Sequence, residues 1–144
     1  MAQIPMNLTP KVFLGGTCNN SSWRHKLTCM LKIDYFNPVV DDWTPECQEE
    51  EIRQRKVCDY VLYCFTPRMT GCYAVAEVVD DSNKRPASTI MVILRQDTAL
   101  FRFDDSQWRS LNAVANLVRA NGGCAFDSLE DAATYLNGKC KDTL

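Results

Sequence analysis

Residues 59–65, Asp-Tyr-Val-Leu-Tyr-Cys-Phe, form an almost continuous apolar run of the length of a strand. A strand with one solvent-exposed face alternates apolar and polar residues, whereas a strand of a parallel sheet is covered on both faces and is apolar throughout. The run is therefore typical of a central parallel strand. Helix-like segments stand on both sides of it, and this alternation is the pattern of β-α-β units.

The same alternation extends along the rest of the chain. Thr44-Pro45-Glu46 is a helix start, with a hydroxyl cap and a proline at the first helical position, and Ser128 with Asp131 has the spacing of a capping box. Further strands are predicted at residues 11–14, 34–38, 89–94 and 124–126. Helices are predicted at about residues 23–32, 45–58, 71–79 and 106–121 and from residue 128, with a polar loop at 80–88.

Five strands alternating with helices predict a parallel sheet with helices on both faces, because β-α-β crossovers are right-handed. We expect a three-layer α/β/α fold with strand order 2-1-3-4-5, and residues 1–144 as a single domain. Ligands of such sheets bind beyond the carboxyl ends of the strands, where the strand order reverses. The loops after Leu14 and Phe65 should therefore face each other and hold the site.

Charge and hydropathy narrow the expected partners. The net charge of −2 gives no electrostatic reason to bind a nucleic-acid polymer, whereas free nucleotides remain candidates. Residues 1–9 contain no apolar run of signal-peptide length, and no segment approaches about 18 consecutive apolar residues. These features predict a cytoplasmic protein that does not bind membranes.

The eight cysteines do not have the spacing of a metal or redox site. None forms a C-x-x-C pair, and His25 is the only histidine. A structural zinc site needs paired close ligands, usually with histidine, so we expect no metal and no cofactor. We expect reduced thiols that act mostly as small apolar residues.

The first loop contains Gly15-Gly16-Thr17, followed by Trp23 and Arg24. Glycines let backbone amides approach a ligand closely, and a helix amino terminus favours an anion. A tight turn with helix caps at residues 19–22 explains the same residues. Arg24 is either a solvated residue or an anion clamp, and Trp23 either stacks on a base or packs in the core.

Glu77 is the sharpest catalytic candidate. It lies on the predicted helix 71–79, whose apolar residues form one face, while Thr70, Tyr73 and Glu77 share the adjacent edge. A carboxylate with restricted solvation at the ligand edge of the sheet suits nucleophilic or acid–base work. A solvated helix face is the alternative.

The chain resembles the nucleoside 2-deoxyribosyltransferase-like family, in particular its short bacterial and phage branch. The motifs that carry the resemblance are Val12 to Thr17 with Trp23-Arg24, Phe36-Asn37-Pro38 with Asp42-Trp43, Cys58 to Tyr63, and Gly71 to Glu77. The resemblance implies a flavodoxin-like sheet and cleavage or transfer at the N-glycosidic bond of a 2'-deoxynucleoside or its 5'-monophosphate. Glu77 would attack the anomeric carbon, and Glu51 would be the second carboxylate.

The resemblance further implies a substrate site and a homo-oligomer that completes it. The implied substrate-binding residues are Gly15, Gly16, Thr17, Trp23, Arg24, Asp59, Met69, Gly71 and Tyr73. Two positions depart from the family pattern: Phe13 replaces a tyrosine that bonds the nucleophile, and Gly71 replaces an aspartate. These departures favour one alternative, a non-catalytic module that senses or sequesters a nucleotide. Cleavage of NAD-like dinucleotides is another alternative, because a glutamate nucleophile that attacks a ribosyl bond serves both chemistries.

Overall fold

The computed structural model describes residues 9–18 and 20–140. The strands of the main sheet are β1 (Lys11–Gly16), β2 (Asp34–Phe36), β3 (Tyr60–Phe65), β4 (Thr89–Ile93) and β7 (Cys124–Phe126). A separate hairpin consists of β5 (Gln96–Asp97) and β6 (Phe101–Arg102). The helices are α1 (Trp23–Met30), α2 (Pro45–Val57), α3 (Tyr73–Lys84), α4 (Asp105–Ala120) and α5 (Leu129–Asn137).

The main sheet has the order β2-β1-β3-β4-β7, and each neighbouring pair is parallel. Counted along the chain, this is the predicted order 2-1-3-4-5, and the three-layer α/β/α class is confirmed. The pairing of β1 with β3 runs from Val12 opposite Tyr60 to Gly16 opposite Cys64. The carboxyl ends of these two strands therefore lie side by side where the strand order reverses.

Two apolar layers cover the sheet. Successive side chains of a strand point to opposite faces, so Val12 and Leu14 pack towards α1 and α5 whereas Phe13 packs towards α3 and α4. The central strand β3 is fully buried from Val61 to Phe65. Burial on both faces is the physical reason for its unbroken apolar sequence.

Helix α3 is longer than predicted. The sequence predicted a loop from residue 80, but the helix continues to Lys84 with Asp81 and Ser82 buried. Distant partners satisfy these polar side chains: Tyr63 Oη donates to Asp81 Oδ2 at 2.6 Å, and Asn121 Nδ2 donates to Ser82 Oγ at 3.0 Å. Because buried polar groups are stable only when hydrogen-bonded, tertiary contacts explain the extension.

The hairpin β5–β6 was not predicted. Its strands are two residues long, and Thr98 between them has a φ of 63°. Asp97 is buried and accepts a hydrogen bond from Ser21 Oγ at 2.6 Å, while the Arg68 guanidinium lies 4.1 Å from the Phe101 ring centroid. The hairpin is thus joined to both loops that leave β1 and β3.

The predicted helix starts are confirmed at two positions. Thr44 Oγ1 accepts from Cys47 N at 3.2 Å, and Ser128 Oγ accepts from Asp131 N at 3.1 Å. Ser22 precedes α1 without a side-chain cap, and the candidate cap Asn19 lies outside the described residues.

All eight cysteines are free thiols, as predicted, but their packing differs from the expectation. Cys58 and Cys64 are buried, whereas Cys18, Cys29 and Cys72 are exposed. The expectation of mostly core thiols therefore holds fully for only two of them.

Candidate active site

The turn after β1 is fixed against the end of β3. A side chain at Gly16 is excluded, because φ is +107° and a Cβ would lie 2.1 Å from the Cys64 carbonyl oxygen. Thr17 N donates to Cys64 O at 2.9 Å, and Thr66 N donates to Thr17 Oγ1 at 3.0 Å. The two loops that follow Leu14 and Phe65 therefore face each other, as the sequence predicted, and form one rigid floor.

A cleft of about 260 Å³ opens above this floor. It contains nine of the eleven site residues predicted from the sequence: Gly15, Gly16, Thr17, Arg24, Glu51, Met69, Gly71, Tyr73 and Glu77. Phe13, Cys18, Pro38, Phe65, Thr70 and Ala74 complete the lining. The cleft is smaller than a typical drug-sized pocket of about 300–1,000 Å³, and it is partly open to solvent.

Glu77 presents a carboxylate of restricted solvation to the cleft. Its side chain is 17% exposed and lies on the first turns of α3. Burial raises its pKa above the usual value, and Glu51 and Asp81 raise it further, whereas Arg55 opposes this rise. Arg55 Nη1 lies 3.4 Å from Glu77 Oε2. A carboxylate in this environment is a candidate for covalent or acid–base chemistry.

Glu51 is the second carboxylate of the cleft and comes from α2. Burial raises its pKa, and the positive charge of Arg24 acts against this rise. Burial favours the neutral form of a carboxyl group, which is the form that can donate a proton. The cleft therefore contains two carboxyl groups on different helices, both less solvated than surface carboxylates.

Arg24 is a buried residue and not a solvated one, and its guanidinium is bonded to the glycine turn. Its guanidinium donates to Leu14 O at 3.1 Å and to Thr17 O at 2.6 Å, and it lies 4.4 Å from the Trp23 ring centroid. The side chain is buried, and burial lowers its pKa. Arg24 lines the cleft, but its hydrogen bonds hold the carbonyls of the glycine turn.

Trp23 and Asp59 do not reach the cleft. The Trp23 ring is buried beneath the turn, where Nε1 donates to Thr17 O at 2.8 Å. Asp59 precedes β3, and its Oδ2 accepts from the backbone amide of Lys11 at 2.8 Å, at the amino ends of β1 and β3. These two predicted substrate contacts are corrected: Trp23 supports the turn from below, and Asp59 joins two strands at the opposite edge.

Comparison with known proteins agrees with this geometry. The family model described as "Nucleoside 2-deoxyribosyltransferase like" matches residues 9–93, more than half of the chain. The chain belongs to this family. The matched part of the nucleoside 2-deoxyribosyltransferase-like chain runs from β1 to β4 and includes the whole lining of the cleft, and α4, β7 and α5 follow it. Searches of curated proteins and of solved structures found no match.

The two departures from the family pattern lie in the cleft of this nucleoside 2-deoxyribosyltransferase-like protein. The Phe13 ring is buried and lines the cleft without offering a hydroxyl group. Tyr73 lines the cleft but is 74% exposed, and the Tyr63 hydroxyl donates to Asp81. A Cβ at Gly71 would have no neighbour within 4 Å, so this position leaves open space.

Sequence reasoning missed Arg55 and Asp81 as neighbours of the cleft. Arg55 follows Glu51 by four residues on α2, and Asp81 follows Glu77 by four residues on α3. Residues four apart share one face of a helix, so this spacing was a signal for both. Pro38 was also missed, although it follows the strand that pairs with β1.

Among residues 9–18 and 20–140, no helix is long and apolar enough to cross a membrane. In the same described residues, no group of three or more histidine, cysteine, aspartate or glutamate side chains has an arrangement that could hold a metal ion.

Proposed function

We propose that the cleft binds a 2'-deoxynucleoside or its 5'-monophosphate and that Glu77 cleaves the N-glycosidic bond. The observation that carries the proposal is the position of Glu77: its poorly solvated carboxylate faces a cleft whose floor is the Gly15–Thr17 turn. Membership of the nucleoside 2-deoxyribosyltransferase-like family supports the same chemistry.

In the first step a Glu77 carboxylate oxygen bonds to the anomeric carbon, and the bond from that carbon to the base nitrogen breaks. The electron pair leaves with the base, which takes a proton from Glu51. An oxocarbenium-like transition state is stabilised by a carboxylate about 3 Å away, as in retaining glycosidases. The raised pKa of Glu51 supports its role as proton donor.

In the second step a second base or a water molecule attacks the anomeric carbon and releases Glu77. Glu51, now ionised, takes the proton from this nucleophile. Attack by a base gives a transferase, and attack by water gives an N-glycosidase. Both reactions use the same ester intermediate.

The test is release of free base from a panel of deoxynucleosides, their 5'-monophosphates and NAD, with and without a second base, followed by chromatography. We expect release from at least one deoxynucleoside or deoxynucleotide. Glu77→Ala should abolish it, whereas Glu49→Ala, a matched change at an exposed carboxylate of α2, should not. Wild-type protein that is quenched with acid during turnover should be heavier than the free protein by the mass of a deoxyribosyl group, as mass spectrometry can show. Wild-type rates in folded Glu77→Ala would contradict the proposal.

Binding without turnover is the second candidate function. The absence of a hydroxyl at Phe13 and the open space at Gly71 favour it, because the substrate sugar then has fewer orienting groups. Saturable thermal stabilisation by a nucleotide, with no base released over long incubation, would select this function. Release of nicotinamide from NAD alone would select the dinucleotide alternative.

We further propose that a second copy of the chain covers the cleft. A groove of about 540 Å³ between α2 and α3 shares Glu51, Tyr73 and Glu77 with the cleft. Ile52 and Tyr73 line this groove, and they are 50% and 74% exposed. Light scattering with Ile52→Asp tests this: a dimer should dissociate and lose activity, and a monomeric wild-type protein would contradict it.

A further inference from the structure

Arg55 lies at the centre of a group of carboxylates behind the cleft. Its Nη1 is 3.4 Å from Glu77 Oε2, and its Nε and Nη2 donate to the two carboxylate oxygens of Asp81 at 3.1 and 3.0 Å. Its Nη2 is also 3.5 Å from Asp80 Oδ2. One guanidinium from α2 therefore spans three carboxylates of α3.

The position of this guanidinium does not depend on Glu77. The two hydrogen bonds to Asp81 form a planar fork, the geometry in which arginine binds a carboxylate most specifically. Asp81 is itself held by the Tyr63 hydroxyl at 2.6 Å, and Tyr63 is fully buried. Arg85 Nη1 donates to the Arg55 carbonyl at 2.9 Å and fixes the backbone. Nη1 of Arg55 is thus presented to Glu77 by a rigid frame.

The other groups around Glu77 favour its neutral form. Burial, Glu51 and Asp81 all raise its pKa, and Arg55 lowers it. The charged or titratable groups that share the cleft or the α2–α3 groove with Glu77, or interact with its charge, come from several elements: Cys18 and Arg24 near β1, Glu51, Arg55 and Lys56 from α2, Tyr63 from β3, Tyr73, Asp80, Asp81 and Lys84 from α3, and Arg85 after it. Of the cations among these described groups, Arg55 is the one within ion-pair distance of the Glu77 carboxylate. A nucleophile must be ionised to attack, so the neighbouring cation matters for its reactivity.

Phe13 of β1 lines the cleft together with Glu77 and offers no hydroxyl group. Its ring centroid lies 6.3 Å from that of Tyr63, and the Tyr63 hydroxyl donates to Asp81. The orienting contact of Glu77 comes instead from α2, through Arg55.

We propose that Arg55 is a positioning residue for Glu77, held by Asp81 and Tyr63, which keeps the carboxylate ionised and directed to the cleft. The inference rests on the proposed role of Glu77 as nucleophile. Arg55 touches no substrate atom in this scheme. It acts through the charge and orientation of Glu77.

The test compares Arg55→Gln with Arg53→Gln, a matched change on the same helix at an exposed arginine that pairs with Glu50. We expect Arg55→Gln to lower kcat for base release by about a hundredfold, with KM changed less than about threefold. The acid limb of its pH profile should move to higher pH. Arg53→Gln should match the wild type in all three. Arg55→Lys keeps the positive charge but cannot form the paired hydrogen bonds to Asp81. Its acid limb should therefore lie closer to that of wild type than its kcat does.

Loss of Arg55 leaves the buried Asp81 carboxylate without its cation and with the Tyr63 hydroxyl still bound, which destabilises the folded protein. If the single variant does not fold, Arg55→Gln/Asp81→Asn takes its place and is compared with Asp81→Asn alone, because removing the Asp81 charge by itself lowers the pKa of Glu77. Circular dichroism and urea denaturation establish that each variant is folded. A folded variant with wild-type kcat and an unchanged acid limb would overturn the proposal.

A second readout does not depend on activity. Carbon-13 NMR of the Glu77 carboxyl group in ligand-free protein should show a higher titration midpoint in Arg55→Gln than in wild type or Arg53→Gln. An unchanged midpoint would overturn the role of Arg55. A raised midpoint in a protein that releases no base would instead refute the proposed function and leave the coupling of Arg55 to Glu77 standing.

Discussion

Gly16 is the position where the structure predicts the largest effect of adding one methyl group. Its φ of +107° is unfavourable for any L side chain, and an added Cβ would lie 2.1 Å from Cys64 O and 2.6 Å from Cys64 N. We expect Gly16→Ala to destabilise the protein and to distort the cleft floor, because β1 and β3 must move apart to accept the methyl group.

The magnitude follows from three contributions. Backbone strain at positive φ costs about 2 kcal/mol, and separating packed strands costs about 2 kcal/mol. The smaller conformational freedom of alanine in the unfolded chain offsets about 1 kcal/mol. The free energy of unfolding should therefore fall by about 3 kcal/mol, the balance of these contributions.

Urea denaturation followed by tryptophan fluorescence measures this change, since Trp23 packs directly beneath the turn. Gly71→Ala is the matched control, because a Cβ there meets nothing within 4 Å and needs no positive φ. Its free energy of unfolding should rise by up to about 1 kcal/mol, because only the smaller conformational freedom of alanine in the unfolded chain applies there. A loss below about 1 kcal/mol in Gly16→Ala, with an unchanged denaturant slope, would refute the account of the turn.

Three further predictions concern the cleft. Base release should rise and then fall with pH, because Glu77 must be ionised as the nucleophile while Glu51 must be protonated as the acid, and burial raises the pKa of both; a profile whose acid limb survives unchanged in Glu77→Asp would contradict the assignment of that limb to Glu77. Glu77→Gln should raise the melting temperature at neutral pH but not at pH 4. The pKa of Glu77 is higher in the folded protein than in the unfolded chain, so its ionisation above the unfolded pKa destabilises the folded state, and glutamine avoids this loss. A variant with the melting temperature of wild type at both pH values would count against this. Iodoacetamide should label the exposed cleft thiol Cys18 and spare buried Cys64, and a bound nucleotide should slow the labelling of Cys18, as peptide mass spectrometry can show; unchanged labelling at saturating nucleotide would place the ligand elsewhere.

The order of the sheet could be predicted because its signals are local. An apolar run such as residues 60–65 is typical of a strand covered on both faces, and Thr44 with Pro45 marks a helix start within two residues. The extension of α3 could not be predicted, because Asp81 and Ser82 are helical and buried through partners 18 and 39 residues away. The hairpin β5–β6 is too short for any periodicity.

The position of the cleft could be predicted from the rule that ligands of parallel sheets bind beyond the carboxyl ends of the strands. Residues after β1 and β3 line the cleft, whereas Asp59 precedes β3 and lies at the other edge. The same rule, applied to Asp59, would have excluded it. Trp23 and Arg24 were harder, because they follow the glycine turn in sequence and only tertiary packing shows that both bind its carbonyls from the buried side.

The hydrogen bond from the Thr66 amide to the Thr17 hydroxyl has a consequence for selectivity. Because this hydrogen bond is formed on folding, the floor of the cleft has its final shape before any ligand arrives. Ligand binding then loses little conformational entropy on that side. Discrimination between sugars that differ by one hydroxyl group should consequently arise from steric fit to a preorganised surface, and only weakly from induced closure.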